Sequence, residues 1–202
     1  MAQKIGDQRR RPQQERSRES RERILTAATQ LFAAHGVGNV STNRIAAHAG
    51  MSIGSLYRYF ADKEAILETL RLRLVGELEE QFTAAVLAGM TLAPAESFAR
   101  SLHGIADTLA RRRELVRALS PHATLEALGL GDLERRLLVL TRGYLLNLLG
   151  PLPDAELEVK AYVMVSVGVA SSLRIGLEAP ANLDRDQVIA EIARMVAGWL
   201  QP

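Results

Sequence analysis

The sequence predicts an all-α protein, and three observations carry that reading. Apolar residues recur at the i, i+3, i+4, i+7 spacing of one helix face in segment after segment. Glycine and proline punctuate those segments, at Gly36, Gly50, Gly89, Pro94, Pro121, Gly129, Gly131, Gly150, Pro153 and Pro180. No Asn-Gly or Asp-Gly pair, the strongest short hairpin signal, separates them.

The first helix carries Ile24, Leu25, Ala28, Leu31 and Phe32 at i, i+1, i+4, i+7 and i+8, and Gly36 is its natural stop. Thr42 is placed to cap a short second helix with Ile45, Ala46 and Ala49 on one face, ended by the left-handed turn that Gly50 supplies. Ser52 caps a third helix. Asp62 caps a fourth, whose stripe Ile66, Leu67, Leu70, Leu74, Leu78 and Phe82 persists to Gly89. Further helices follow between the punctuating residues. YVMVSVGVA, residues 162–170, alternates valine with other residues as a strand would. A lone strand would have nothing to pair with, so Asp154 to Gly176 is expected to be a helix, apolar on most sides because it packs inward and against a second subunit. The last segment opens with an Asp184–Gln187 spacing resembling a capping box and carries Val188, Ile189, Ile192, Met195, Val196 and Trp199 as a wide stripe.

At 202 residues, 48% of them hydrophobic, the chain can bury a sizeable core. The absence of cysteine excludes disulfides and thiolate zinc sites and fits a reducing, cytoplasmic setting. The N-terminus is charged and unlike a secretory signal, and nowhere do 18 apolar residues run together, so no transmembrane helix and no membrane partner are expected. The net charge of +2 conceals an asymmetry: residues 1–64 hold 11 Lys/Arg against 6 Asp/Glu, the remainder 14 against 17. Seven arginines lie between Arg9 and Arg23, an arm suited to a polyanion, although a solvated tail has the same composition.

Two short helices joined by a tight turn at Gly50, behind a supporting helix, form a helix-turn-helix pattern whose second helix can enter a DNA major groove. With Leu56 set at ~0° on a wheel of ~100° per residue, Phe60 falls at ~40° and Ile53 at ~60°, which defines the inward side. Gly54 at ~160°, Arg58 at ~200° and Ser55 at ~260° stand opposite. Gly54 permits close backbone approach, Ser55 can donate or accept, and Arg58 can reach a guanine edge or a phosphate. Tyr57 and Tyr59 flank this face, either with hydroxyls toward phosphate or as half-buried packing. Thr42 and Ser52 stand at helix starts whose free N–H groups can also bind phosphate. Lys63, at the next helix start, is a phosphate contact or a solvated side chain.

The run ERILTAATQLFAAHGVGNVSTNRIAAHAGMSIGSLYRYFADKEAIL resembles the N-terminal DNA-binding domain of the TetR (tetracycline repressor) family of transcriptional regulators. LFAAHG, TNRIAAHAG, GSLYRYF and DKEAIL carry the likeness, in order and at the family's spacings, over about residues 17–70. The resemblance implies about nine helices and a homodimer, its interface commonly formed by the last two helices. It also implies a variable C-terminal domain, often with a small-molecule pocket, and a repressor that leaves a pseudo-palindromic DNA operator when its effector binds. Carried over by position, DNA contacts fall to Thr42, Ser52, Ile53, Gly54, Ser55, Tyr57, Arg58, Tyr59 and Lys63, with Ile53 as an apolar contact such as one to a thymine methyl. The expected organisation is a basic, flexible arm over 1–16, a helix-turn-helix DNA-binding domain over 17–64, and a ligand-binding and dimerisation domain over 65–202.

Beyond residue 90 no motif appears. Helical spacing sets Arg100, His103 and Asp107 near one another and Tyr144 with Asn147 at i and i+3, polar groups that either line a pocket or pair at the surface. Dimer contacts are expected from Val163, Val167, Ala170, Ile192, Met195 and Trp199. The apolar, weakly aromatic C-terminal helices suit a hydrophobic or amphipathic effector. The alternative is a dimeric regulator without small-molecule control, constitutive or governed by a protein partner. His35, His48, His103 and His122 show no HxxxH or HExxH spacing, and no Gly-rich phosphate loop or nucleophile elbow occurs, so no metal, cofactor or enzyme activity is expected.

Overall fold

The computed structural model describes residues 4–119, 131–178 and 182–200, with side chains from residue 14 onward. Among these residues there is no strand. The helices are α1 (Lys4–His35), α2 (Thr42–His48), α3 (Ile53–Tyr57), α4 (Lys63–Gly89), α5 (Pro94–Arg111), α6 (Arg113–Leu119), α7 (Gly131–Leu149), α8 (Asp154–Glu178) and α9 (Arg185–Leu200), with a single 3-10 turn at Val37–Asn39. The breaks expected at Pro121, Gly129 and Pro180, and His122, lie outside the described residues.

Local chemistry sets most of the boundaries. Ser52 accepts a hydrogen bond from the Ser55 amide at 3.2 Å, Asp62 from Ala65 at 2.7 Å and Asp184 from Gln187 at 2.9 Å, each closing an orphan donor at a helix start. The cap of α2 differs from expectation: it is Ser41, in extended backbone, whose Oγ accepts from the Arg44 amide at 3.3 Å. Thr42 is the first residue inside that helix, and its hydroxyl is 3.1 Å from the Tyr57 hydroxyl. Gly50 ends the turn with φ 64, a conformation that a Cβ penalises.

The arginine-rich segment expected as a basic arm is helical and continuous with α1 from Lys4. Arg, Gln and Glu are strong helix formers, and the apolar turn at Ile24 gives them a helix to extend. Two of the seven arginines hold the domain together. Arg23 donates from Nη2 to the Ala49 carbonyl at 2.5 Å and the Gly50 carbonyl at 3.0 Å, satisfying the open end of α2. The Arg21 guanidinium lies 5.2 Å from the centroid of Phe60.

α1 packs on α2, α4 and α6, and α2 on α3, around a core that includes Ile24, Phe32, Ile45, Leu56 and Ile66, all at most 1% exposed. α4 leaves this unit as a shaft against α5 and α7. α5 lies at the centre of the remainder, in contact with α4, α8 and α9, and a second core forms around Leu102, Ala106, Leu145, Ala161 and Ile189. A Cβ added at Gly176 would lie 2.8 Å from the Ala106 carbonyl oxygen and from the Leu109 Cβ, so the closeness of α8 to α5 depends on that glycine. Among the described residues α8 alone is long and apolar enough to cross a membrane, with mean hydropathy 1.2 in its most apolar stretch. It packs along α5 and α7, the inward part of what the apolar reading of YVMVSVGVA expected.

Candidate functional site

The recognition surface is built from the turn at Gly50 outward. Leu56 and Phe60 are buried and Ile53 packs against the same core, which fixes the rotation of α3. That rotation presents Ser52, Gly54, Tyr57 and Arg58 to solvent, with Ser55 half-buried beside them. Ser52 Oγ and Ser55 Oγ are 2.9 Å apart, and the Tyr57–Thr42 hydroxyl contact ties the outer edge of α3 to the start of α2. Gly54 has no heavy atom within 4 Å of where its Cβ would stand. Ordinary φ and open space mean that nothing inside the protein asks for glycine there.

Three expected contacts are engaged elsewhere. The Tyr59 hydroxyl meets Ser20 and Ser17 of α1, and these hydrogen bonds, Ser20 foremost, pull its pKa below the ordinary tyrosine value. Tyr59 is also half-buried, packed against the N-terminal core. Lys63 donates from Nζ to the Val37 carbonyl at 2.9 Å, holding the 3-10 turn. Ile53 is partly buried against the core, because a short helix with so few inward positions uses every apolar side chain it has. Arg44 and Asn43, on the exposed side of α2 next to Thr42, were absent from the sequence-derived set. The inward positions of α2, Ile45, Ala46 and Ala49, already set Arg44 on the opposite face. Its Nη2 stands 2.8 Å from His35 Nε2.

An ion-pair series links this unit to the rest. Glu22 of α1 takes two hydrogen bonds at 2.6 Å from Arg73 of α4, and Glu77, one turn further along, pairs with Arg112 at the end of α5 at 2.5 Å. The Arg73 hydrogen bonds hold the Glu22 carboxyl below its ordinary pKa, against a smaller opposing effect of burial. These side chains border an open crevice of about 550 Å³ between α1, α4 and the α5–α6 junction.

The C-terminal unit contains a cavity of about 40 Å³ between α4, α5, α7 and α8, walled by Phe82, Phe98, Leu102, Met164 and Val165. Of the five residues expected at a pocket only Tyr144 borders it. Arg100 is exposed. Asp107 pairs with Arg185 at 2.6 Å, His103 Nδ1 is 3.8 Å from Asp186, and Asn147 donates to the Met90 carbonyl at 3.4 Å on the surface. His103 and Asp107 thus turn to the start of α9 rather than to the cavity. Among the described residues no group of three or more His, Asp or Glu is placed to hold a metal ion.

On α8 and α9, Met195 and Trp199 are exposed at 61% and 40%, and Ala170 is also open. Val163 is half-buried, while Val167 and Ile192 pack against the protomer's own second core. Val159 and Tyr162, each 60% exposed, extend the apolar surface, and Lys160 Nζ lies 5.1 Å from the Trp199 ring centroid, joining the two helices.

This geometry defines an all-helical protein with an N-terminal helix-turn-helix unit on a larger helical body. Residues 24–70 match the family described as bacterial regulatory proteins, tetR family. An HTH-type transcriptional regulator of Staphylococcus aureus strain USA300 is 49% identical over 47 residues, which are 23% of this chain and 25% of that protein. The match thus spans about a quarter of the length of such relatives. Over nearly the whole chain the fold is that of a bacterial regulatory protein in the tetR family from Rhodococcus RHA1, with TM-score 0.66, 21% identity and coverage of 90% and 96% of the two chains. AibR, solved with isovaleryl coenzyme A and operator DNA, has TM-score 0.60, 21% identity and coverage of 89% and 97%. The tetR-family match is thus confined to residues 24–70, and the rest of the chain shares the fold of these solved structures.

Proposed function

We propose that the chain is a DNA-binding transcriptional regulator, working as a homodimeric repressor that a small-molecule effector releases from a pseudo-palindromic operator. The observation that carries the DNA-binding part is Gly54. Gly54, in the first turn of α3, has ordinary backbone and no heavy atom within 4 Å of where its Cβ would stand, which leaves that face open to close approach from outside. The exposed Ser52, Tyr57 and Arg58 around it have the chemistry for phosphates and base edges. Arg44, Asn43 and Thr42 at the adjoining helix start extend that surface. Tyr59 and Lys63 support it by holding α1 and the 3-10 turn, and Ile53 by packing inward.

The dimer reading is supported by the exposed apolar surface shared by α8 and α9. Effector control is supported by the cavity and by AibR, a structural relative solved with an acyl-coenzyme A. The cavity's small volume in this form favours a second reading, a dimeric regulator without small-molecule control. The organisation proposed is a DNA-binding domain through residue 64, extended at its N-terminus by the helical basic segment, and a body from residue 65 that dimerises.

Footprinting on a selected operator tests the main reading. Protection should cover two half-sites with two-fold symmetry, their recognition helices about one DNA turn apart, roughly 34–36 Å, or further. Affinity should fall steeply with salt, because several phosphate contacts release counterions. An asymmetric footprint, or affinity indifferent to salt, counts decisively against it.

A further inference from the structure

We propose that the cavity between α4, α5, α7 and α8 is the contracted form of a site for a small, uncharged, largely apolar molecule bearing one hydrogen-bond-accepting oxygen, anchored by the Tyr144 hydroxyl. The inference rests on the effector-controlled reading above and names the effector's chemical class.

The walls decide the charge of the ligand. Among the described residues no Asp, Glu, Lys, Arg or His borders the cavity. An ionised ligand would lose its hydration there and meet no counter-charge, a penalty that ordinary binding does not overcome. Carboxylates and phosphates are therefore disfavoured, and a neutral molecule is admitted.

Tyr144 decides the polar group. The residue is 5% exposed and borders the cavity, and its hydroxyl is buried without a hydrogen-bond partner. Buried polar groups are satisfied in the great majority of cases, so an orphaned phenol beside a cavity marks a missing partner. A phenol is a good donor, which selects an alcohol, ether or carbonyl oxygen on the ligand. The neighbouring Ser101 is already committed, donating to the Ser97 carbonyl at 3.2 Å.

The walls also show how the site widens. At about 40 Å³ the cavity holds a water or two, short of a ligand. Met164 has an unbranched, flexible side chain that can vacate space. Opposite Phe98 stands Gly168, where an added Cβ would meet only that ring, at 3.7 and 3.8 Å. The ring thus faces bare backbone.

A matched probe set on the full chain tests this: benzyl alcohol, toluene and benzoate, by calorimetric titration and thermal melting. Benzyl alcohol should bind and raise the melting temperature, toluene should bind more weakly, and benzoate should give no signal at the same concentration. Tyr144→Phe removes only an unpartnered hydroxyl, so the fold should persist. It should weaken benzyl alcohol about three- to tenfold while leaving toluene unchanged. The proposal is overturned if benzoate binds as well as benzyl alcohol, if Tyr144→Phe binds benzyl alcohol as the parent does, or if none of the three binds. These readouts need no DNA, so their failure leaves the footprint result standing, and an absent footprint leaves the titrations interpretable.

Discussion

Glycine and arginine on α3 make opposite demands on stability and function. Gly54→Ala places a methyl group in open space and adds helix propensity, so the variant should be more stable by up to about 0.5–1 kcal/mol in a denaturant melt. The same methyl stands where the groove wall would approach, and operator affinity should drop about tenfold or more, about 1.4 kcal/mol. A variant that is more stable and binds equally well would remove Gly54 from the interface. Arg58→Ala carries a different signature. If the exposed guanidinium reads a base, the loss should be about 1–3 kcal/mol and specificity should relax at one position per half-site, as measured on a panel of operator variants. An equal loss on every sequence would make Arg58 a phosphate contact. The inward and outward residues of α3 were legible from spacing alone, because Leu56 and Phe60 obey the helical period. The role of Tyr59 was not, since its hydroxyl partners Ser20 and Ser17 lie on another helix, far away in sequence.

Between elements, the joint of α1 with α4 is electrostatic as well as apolar, and it should respond to pH. The folded Glu22 carboxyl has a pKa below its ordinary value of 4.5, chiefly through the Arg73 hydrogen bonds. On acidification the unfolded chain therefore takes up the proton first. The contribution is complete above about pH 4.5 and is lost as pH falls through the lowered folded value. Both side chains are more than a third exposed, so water screens the pair and its worth is about 0.2–1 kcal/mol. Glu22→Gln should lose that amount at pH 7, and its stability difference from the parent should shrink below pH 4; a constant difference down to pH 3 would deny the pair this role. None of this was visible in the sequence, because Glu22 and Arg73 are 51 residues apart and charged residues are plentiful on both helices. The helix starts at Ser52, Asp62 and Asp184 were visible, because a cap acts within three residues.

At the scale of the whole molecule, the proposed dimer would hold two recognition helices at a fixed separation, and the exposed apolar face of α8 and α9 is a surface suited to that. Trp199→Glu combined with Met195→Glu puts charge on positions that are exposed in one protomer, so each chain should keep its helical content and melting transition. Light scattering should then report monomers, and cooperative operator binding should disappear. Dimers of unchanged stability would place the interface elsewhere. The residues expected at a dimer contact divide for a reason that spacing does not contain: Ile192 shares the α9 stripe of Met195 and Trp199, and Val167 the α8 stripe of Val163 and Ala170, but the protomer's own core takes both.

The sequence by itself determined the helices, the caps at Ser52, Asp62 and Asp184, the turn at Gly50 and the outward residues of α3, because all of these follow from contacts within a few residues along the chain; the cap of α2 falls to Ser41, one residue before the Thr42 expected. It also carried the tetR-family likeness, whose motifs lie in that locally specified third. Only the tertiary structure decided that Arg23 closes the end of α2, that Glu22 pairs with Arg73, and that Tyr144 alone of the five polar candidates borders the cavity between α4, α5, α7 and α8. Each of those outcomes depends on which distant helix a face meets, and helical period fixes a face without naming its neighbour.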